Sequence, residues 1–336
     1  MSAMEQTQLV KDITRPKKKT RKAGDRKVAT RKESFNKSEK NPKDSTTVVS
    51  HTSNENATSP TVSPRKGRSN KHDKEMKDIF EQAFDPNFHK EMKEALRRFM
   101  MCSVFLDIGH MDKAKQSQDI FMRIFREHCQ TSPTKVIKLA EKLRCKKRFI
   151  ESVVMFETAV GLLNNKEENH DNIALFIMEC LQQLEDLTKV MVDCTPDKRL
   201  FGRDYVVPFM REQLENMNGL ANADPEIRFS RYVCSCIFVG FTELNVKDID
   251  GAEASWLRAI NACRDFYGEN AKKHSILGTC YKNMGDFYAT SGRHAEAKGY
   301  LKLALEVFKE AEEYENEEER QNDIEICCDM LSKFKI

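Results

Sequence analysis

The sequence predicts an all-α protein, a solenoid of helical hairpins preceded by a disordered basic tail. Three observations support this fold class. Past residue 75, Pro and Gly are sparse, and apolar residues recur at the helical spacing i, i+3, i+4 and i+7. Small and large residues alternate at fixed offsets in a stretch that recurs along the chain. Residues 1–71 hold 18 Lys or Arg against 7 Asp or Glu, whereas the remaining residues hold 38 against 46.

The tail, residues 1–72, is rich in Ser, Thr and Asn and has one aromatic residue, Phe35. It cannot bury enough apolar surface to offset the entropy of ordering, so it is predicted to be disordered. Its basic cluster RPKKKTRK resembles a short nuclear import signal, which an import receptor reads. Contact with nucleic acid, microtubules or anionic lipids, and a merely solubilising role, remain open. The residues that carry these alternatives are Arg15, Lys17, Lys18, Lys19, Arg21 and Lys22.

The tail also holds candidate phosphorylation sites. Ser63 begins SPRK, which matches a proline-directed kinase site, and Ser59 before Pro60 is a weaker match. A phosphate on Ser63 would place about two negative charges beside Arg65 and Lys66 and weaken any contact with a polyanion.

The recurring stretch is clearest at NMGDFYATSGRHAEAKGYLKLAL, residues 283–305. Its defining positions are Gly285, Tyr288, Gly292, Ala297, Leu301 and Ala304. The same offsets around Ala252 and Ser152 return the small–large–small pattern, and those around Ala114 return its first half. Small residues let two helices approach closely, and the large residue fills the space that remains.

This pattern resembles the tetratricopeptide repeat, a helix–turn–helix unit of 34 residues. The predicted units are 95–128, 133–166, 233–266 and 278–311, within a solenoid spanning 95–311. The stretch at 266–288 also loosely resembles kinesin light chain-like repeats. Residues 167–232 are predicted to form degenerate hairpins. A helix within 73–94 should cover the first unit, and one within 312–336 should cap the last.

Motifs of catalysis are absent from the sequence. It has no glycine-rich phosphate loop, nucleophile elbow or paired-histidine zinc motif, so neither enzyme activity nor a cofactor is expected. The 11 Cys show no zinc-ligand spacing, so no metal is expected. They are predicted to be reduced thiols of an intracellular protein. No apolar run is long enough to span a membrane.

The resemblance implies that a partner peptide lies on the concave face, which the first helix of each unit lines. In peptide-binding relatives an asparagine at the place of Asn283 bonds the peptide backbone, so Asn283 is a binding candidate, together with Lys282 and Asp286. Phe238 and Phe241 predict a more apolar groove in the preceding unit, or else belong to the core.

The sequence therefore predicts a non-enzymatic scaffold or adaptor for a protein or peptide partner, located in the nucleus, the cytoplasm or both. Two alternatives are kept open. One is a cytoskeletal or ciliary adaptor whose tail binds microtubules. The other is a nuclear factor whose tail binds nucleic acid with strong salt dependence.

Overall fold

The structure is a computed structural model that describes residues 77–78, 89–128, 132–163, 169–314 and 316–334. The chain divides into two units, Met1–Ser69 and Asn70–Ile336, and every described residue belongs to the second. The basic cluster, Ser59, Ser63 and most of the expected covering helix lie outside these ranges. Within them the protein is helical and contains no strand, which confirms the predicted all-α class.

The helices are α1 (His89–Asp107), α2 (Met111–His128), α3 (Pro133–Cys145), α4 (Phe149–Leu163), α5 (His170–Cys194), α6 (Val207–Asn218), α7 (Pro225–Asn245), α8 (Ile249–Tyr267), α9 (Ser275–Thr290), α10 (His294–Glu310) and α11 (Glu317–Ser332). Between α5 and α6 lie a 3₁₀ turn (Pro196–Lys198), one short α-helical turn (Arg199–Phe201) and a π-helical turn (Gly202–Val206). Among the described helices, none has the run of apolar residues that a membrane span requires.

Four pairs of consecutive helices pack against each other as hairpins: α1 with α2, α3 with α4, α7 with α8, and α9 with α10. All four turns have the same geometry. In each, one residue adopts a left-handed backbone, with φ between 60° and 76°. The next residue donates its backbone N–H to the carbonyl five positions back, over 2.8–2.9 Å. The left-handed residues are Gly109, Lys147, Lys247 and Gly292.

This turn is the Schellman motif, which satisfies carbonyls at the end of the first helix. Glycine adopts the left-handed conformation of this turn without strain, whereas a lysine in the same conformation costs about 1 kcal/mol or more. The two lysines stand at the same offset as Gly292 in the sequence pattern. The turn has therefore kept its geometry even where the favoured residue is missing.

Small–large contacts join the two helices of a hairpin directly. A Cβ atom at Gly285 would lie 2.7 Å from Cγ of Leu301, and one at Gly240 would lie 2.7 Å from Nε1 of Trp256. In the α3–α4 hairpin, Ser152 Oγ donates a hydrogen bond of 2.8 Å to the backbone carbonyl of Ala140. These contacts hold the helix backbones close together.

Two helices lie at the centre of the packing. Fourteen of the 15 residues of α4 are buried, since α1, α2, α3 and α5 all pack against it. Helix α7 is likewise enclosed, by α5, α6 and α8. In the 167–232 region the 25-residue helix α5 packs mainly against α7. Helix α4 is apolar on nearly every side, as expected of a helix enclosed by others.

Helix α6 is fastened to the α7–α8 hairpin by Arg211. Its Nε donates to Oε1 of the fully buried Glu243 over 2.7 Å, and its Nη2 lies 3.0 Å from Oδ2 of Asp248. The other oxygen of Asp248 accepts the backbone N–H of Gly251 at the start of α8. One guanidinium thus ties together α6, the end of α7 and the cap of α8.

At the C-terminal end, α11 packs against α10. Cys327 is its buried residue, and Arg320 Nη2 donates 2.9 Å to the carbonyl of Ala311. The glutamates of its first turn are Glu317, Glu318 and Glu319. Negative side chains there complement the positive end of the helix dipole.

Candidate functional site

The predicted peptide contacts on α9 differ in exposure. Asp286 is exposed and Lys282 is half-buried, but Asn283 is only 9% exposed. The amide nitrogen of Asn283 is buried and donates no hydrogen bond to any described residue. In this structure Asn283 therefore offers no donor to an open surface.

The two phenylalanines of the predicted apolar groove lie among packed helices. Phe238 is 6% exposed. Phe241 is half-buried and meets Trp256 edge-on, with ring centroids 5.4 Å apart. Trp256 in turn contacts Phe287 of α9 at 5.0 Å. Rings from three successive helices thus form one aromatic core.

An open groove lies instead along α7 and α8, beside the end of α6. We call it the aromatic groove, and its volume is about 760 Å³. Pro225 and Asn218 also line it. Its central lining residues, spaced at helical intervals so that each set shares a face, are Arg228, Phe229 and Tyr232 of α7 with Leu257, Arg258, Asn261, Asp265 and Phe266 of α8.

The apolar part of the aromatic groove is a stack of two rings. Phe229 and Phe266 lie parallel, with centroids 4.2 Å apart and planes 5° apart. Tyr267 meets both rings edge-on, at 5.0 and 5.1 Å, and this arrangement fixes their orientation. Phe229 is the buried ring of the stack, whereas Phe266 is 42% exposed. The outer ring thus presents an ordered apolar surface to solvent.

Positive charge flanks the stack. Arg258 Nη1 lies 2.9 Å from Oε1 of Glu215, and both side chains are largely exposed. Arg228 Nη1 donates 3.1 Å to the carbonyl of Leu220. Burial raises the pKa of Tyr232 to about 12, and its hydroxyl is already hydrogen-bonded with Cys236 and Arg258. The aromatic groove therefore combines an apolar platform with two guanidinium groups and the carboxylate of Asp265.

Sequence analysis did not predict the aromatic groove, because the tetratricopeptide resemblance directs attention to the first helix of each unit, whereas half of this groove is lined by α8. A signal was present in the spacing of Leu257, Asn261 and Phe266, with the large apolar residue Phe266 near the end of α8. Periodicity does not separate such a residue from a core residue.

Comparison with known proteins adds no family, since no protein-family model matches the chain and no curated protein matches its sequence.

The described cysteines carry free thiols. Four of them, Cys234, Cys236, Cys263 and Cys280, are buried where α7, α8 and α9 meet. Cys280 shares a hydrogen bond with Cys263, and this bond together with burial raises the pKa of Cys280. Thiols with raised pKa values are poor nucleophiles. In the described ranges no group of three or more His, Cys, Asp or Glu is placed to hold a metal ion.

Proposed function

We propose that the protein is a non-enzymatic interaction scaffold that binds a peptide segment of a partner protein in the aromatic groove. The observation that carries the proposal is Phe266, a large ring held in one orientation by its neighbours and 42% exposed. Preordered aromatic side chains with adjacent arginines are typical centres of protein interfaces. Covering the exposed part of this ring contributes about 1 kcal/mol from hydrophobic transfer.

The chemistry of the aromatic groove defines its partner. An apolar side chain of the peptide packs on Phe266, and a neighbouring Asp or Glu pairs with Arg228 or Arg258. Arg258 already contacts Glu215, so an incoming carboxylate replaces an exposed ion pair of small stability. A partner with both features fits better than one with either alone.

The tetratricopeptide-like solenoid remains part of this proposal. It is supported by the shared Schellman turn of four hairpins and by the small–large contacts at Gly240 and Gly285. The tail adds nuclear targeting or polyanion contact. Imaging the full chain and a 73–336 truncation as fluorescent fusions tests the tail, and nuclear accumulation of the full chain alone supports targeting.

Selection from a random peptide library on the full-length protein tests the binding function. We expect the selected peptides to combine an aromatic or aliphatic residue with Asp or Glu. Phe266→Ala should weaken their binding about tenfold. The matched control is Leu303→Ala, which removes an apolar side chain of similar exposure (36%) from α10. Peptides that bind the Phe266→Ala variant as tightly as wild type would refute the assignment of the groove.

A further inference from the structure

A second groove lies on a different part of the body, between α2, α4, the π-helical turn and α6. We call it the acidic groove, and its volume is about 540 Å³. Five carboxylates line it, against two cations. The carboxylates are Asp112, Asp119, Glu157, Asp204 and Glu212, and the cations are Lys115 and Arg126.

The floor of the acidic groove is Glu157, which is only 9% exposed. Its Oε2 accepts a hydrogen bond of 2.7 Å from the hydroxyl of Tyr205 and another from Nε2 of Gln118. Its other oxygen, Oε1, accepts no hydrogen bond from the described residues and is not fully enclosed by them. A carboxylate that is buried, held at one oxygen and open at the other is incomplete without a donor.

The π-helical turn places Tyr205 at this floor. Such turns are rare, distort the helix and are frequent at functional sites. This one packs tightly, since a Cβ atom at Gly202 would lie 2.6 Å from Cγ1 of Val246. The turn follows α5 in the chain and brings the hydroxyl of Tyr205 within hydrogen-bonding distance of Gln118 of α2 and Glu157 of α4.

The rim carries charge that is free to act on a ligand. Asp119 and Glu212 form no ion pair with a described residue, whereas Asp204 pairs with Arg203 over 2.7 Å. Arg126 is partly engaged, because its Nη2 donates 3.2 Å to the carbonyl of Gly161. Excess negative potential in a cleft attracts cations.

We propose that the acidic groove binds a lysine or arginine side chain from a basic segment of a partner protein, with Glu157 as the counter-charge at its floor. The ammonium or guanidinium donates to the open oxygen of Glu157, and the rim carboxylates neutralise flanking basic residues. This site is separate from the aromatic groove and differs from it in the sign of its charge. Either proposal can therefore be refuted without affecting the other.

Binding in the acidic groove is coupled to a proton. Burial raises the pKa of Glu157 to about 7, and Tyr205 and Gln118 oppose that rise only in part. An entering cation favours the ionised carboxylate and expels the proton. The titratable groups around Glu157 are Cys102 of α1, Asp112, Lys115, Asp119 and Arg126 of α2, Asp204 and Tyr205 of the π-helical turn, and Glu212 of α6.

The test measures fluorescence anisotropy of labelled hexalysine and hexaarginine peptides with the full-length protein at physiological ionic strength. Glu157→Gln keeps the shape and removes the charge. We expect this variant to bind about tenfold more weakly than wild type at pH 8. Wild-type affinity should fall between pH 8 and pH 6 by up to about tenfold, following the ionised fraction of Glu157, whereas the variant should show no such fall.

The matched control is Glu306→Gln, which makes the same charge change on the exposed face of α10, outside both grooves. Its affinity should equal that of wild type. Equal weakening by both variants, or none by Glu157→Gln, would show that the peptides bind only through general charge and would overturn the proposal. Glu212→Gln at the rim should show a smaller loss. Phe266→Ala should bind both peptides normally, which separates this site from the aromatic groove.

Discussion

Replacing Gly240 with alanine adds a methyl group where α7 and α8 leave no room. The new Cβ would lie 2.7, 2.8 and 3.0 Å from Nε1, Cε2 and Cδ1 of Trp256. The indole cannot move aside easily, because it is 1% exposed and lies between Phe241 and Phe287. Overpacking of this kind costs about 1–3 kcal/mol, and the better helix propensity of alanine returns about 1 kcal/mol. The net effect expected is a loss of up to about 2 kcal/mol.

Gly299 provides the matched control. It also lies within a helix, α10, but no atom is within 4 Å of the position that its Cβ would take. Gly299→Ala should therefore stabilise the protein by up to about 1 kcal/mol. The two variants make the same chemical change and are expected to shift stability in opposite directions.

The assay is urea denaturation followed by circular dichroism and by tryptophan fluorescence. Trp256 is the single tryptophan of the chain, so its emission reports directly on the altered contact. We expect a lower midpoint and a changed native emission for Gly240→Ala, and an unchanged emission for Gly299→Ala. If Gly240→Ala stabilised the protein as much as Gly299→Ala does, the close approach of α7 and α8 would be wrong, and with it the interpretation of the small–large pattern.

Three further predictions concern a turn, an ion pair and a buried acid. Lys247→Gly should raise stability by about 1 kcal/mol and Gly292→Ala should lower it by a similar amount, because both positions are left-handed; thermal denaturation measures both. Arg211→Met should cost about 1–3 kcal/mol by removing the cationic partner of the buried Glu243, which keeps its hydrogen bond with Ser255, and adding Glu243→Gln should restore part of that loss in a double-mutant cycle. The pKa of Glu157 in the folded protein is about 7, above its usual 4.5. The free energy of unfolding of the wild type should therefore fall by about 3 kcal/mol as the pH rises from 4.5 to 7. The stability of Glu157→Gln should equal that of wild type at pH 4.5, exceed it at pH 8, and show no such fall.

The sequence pattern was sufficient for the helical class and for the register of the hairpins. The offset that marks Gly292 also marks Lys147 and Lys247, and the structure gives all of them the same left-handed turn. The pairs Gly240–Trp256 and Gly285–Leu301 were likewise aligned by offset and are in contact. Local spacing determines such features, because both partners belong to one hairpin.

The packing between hairpins was not predictable in the same way. Apolar periodicity shows which face of a helix is buried but not which helix covers it. The enclosure of α4 and the packing of α5 on α7 depend on such distant partners. Phe238 and Asn283 are buried for this reason, although the repeat pattern places them on a binding face. The grooves at Phe266 and Glu157 also depend on which surfaces stay uncovered.

The enclosure of α4 has a consequence for how this protein can change in length. Arrays of separable repeats grow and shrink by duplicating or losing whole units, because each unit touches only its neighbours. Here α1, α2, α3 and α5 all cover one helix, so loss of either of the first two hairpins would uncover part of the packing surface of the other. Residues 89–194 should therefore tolerate the loss or duplication of a single hairpin less well than a regular array would.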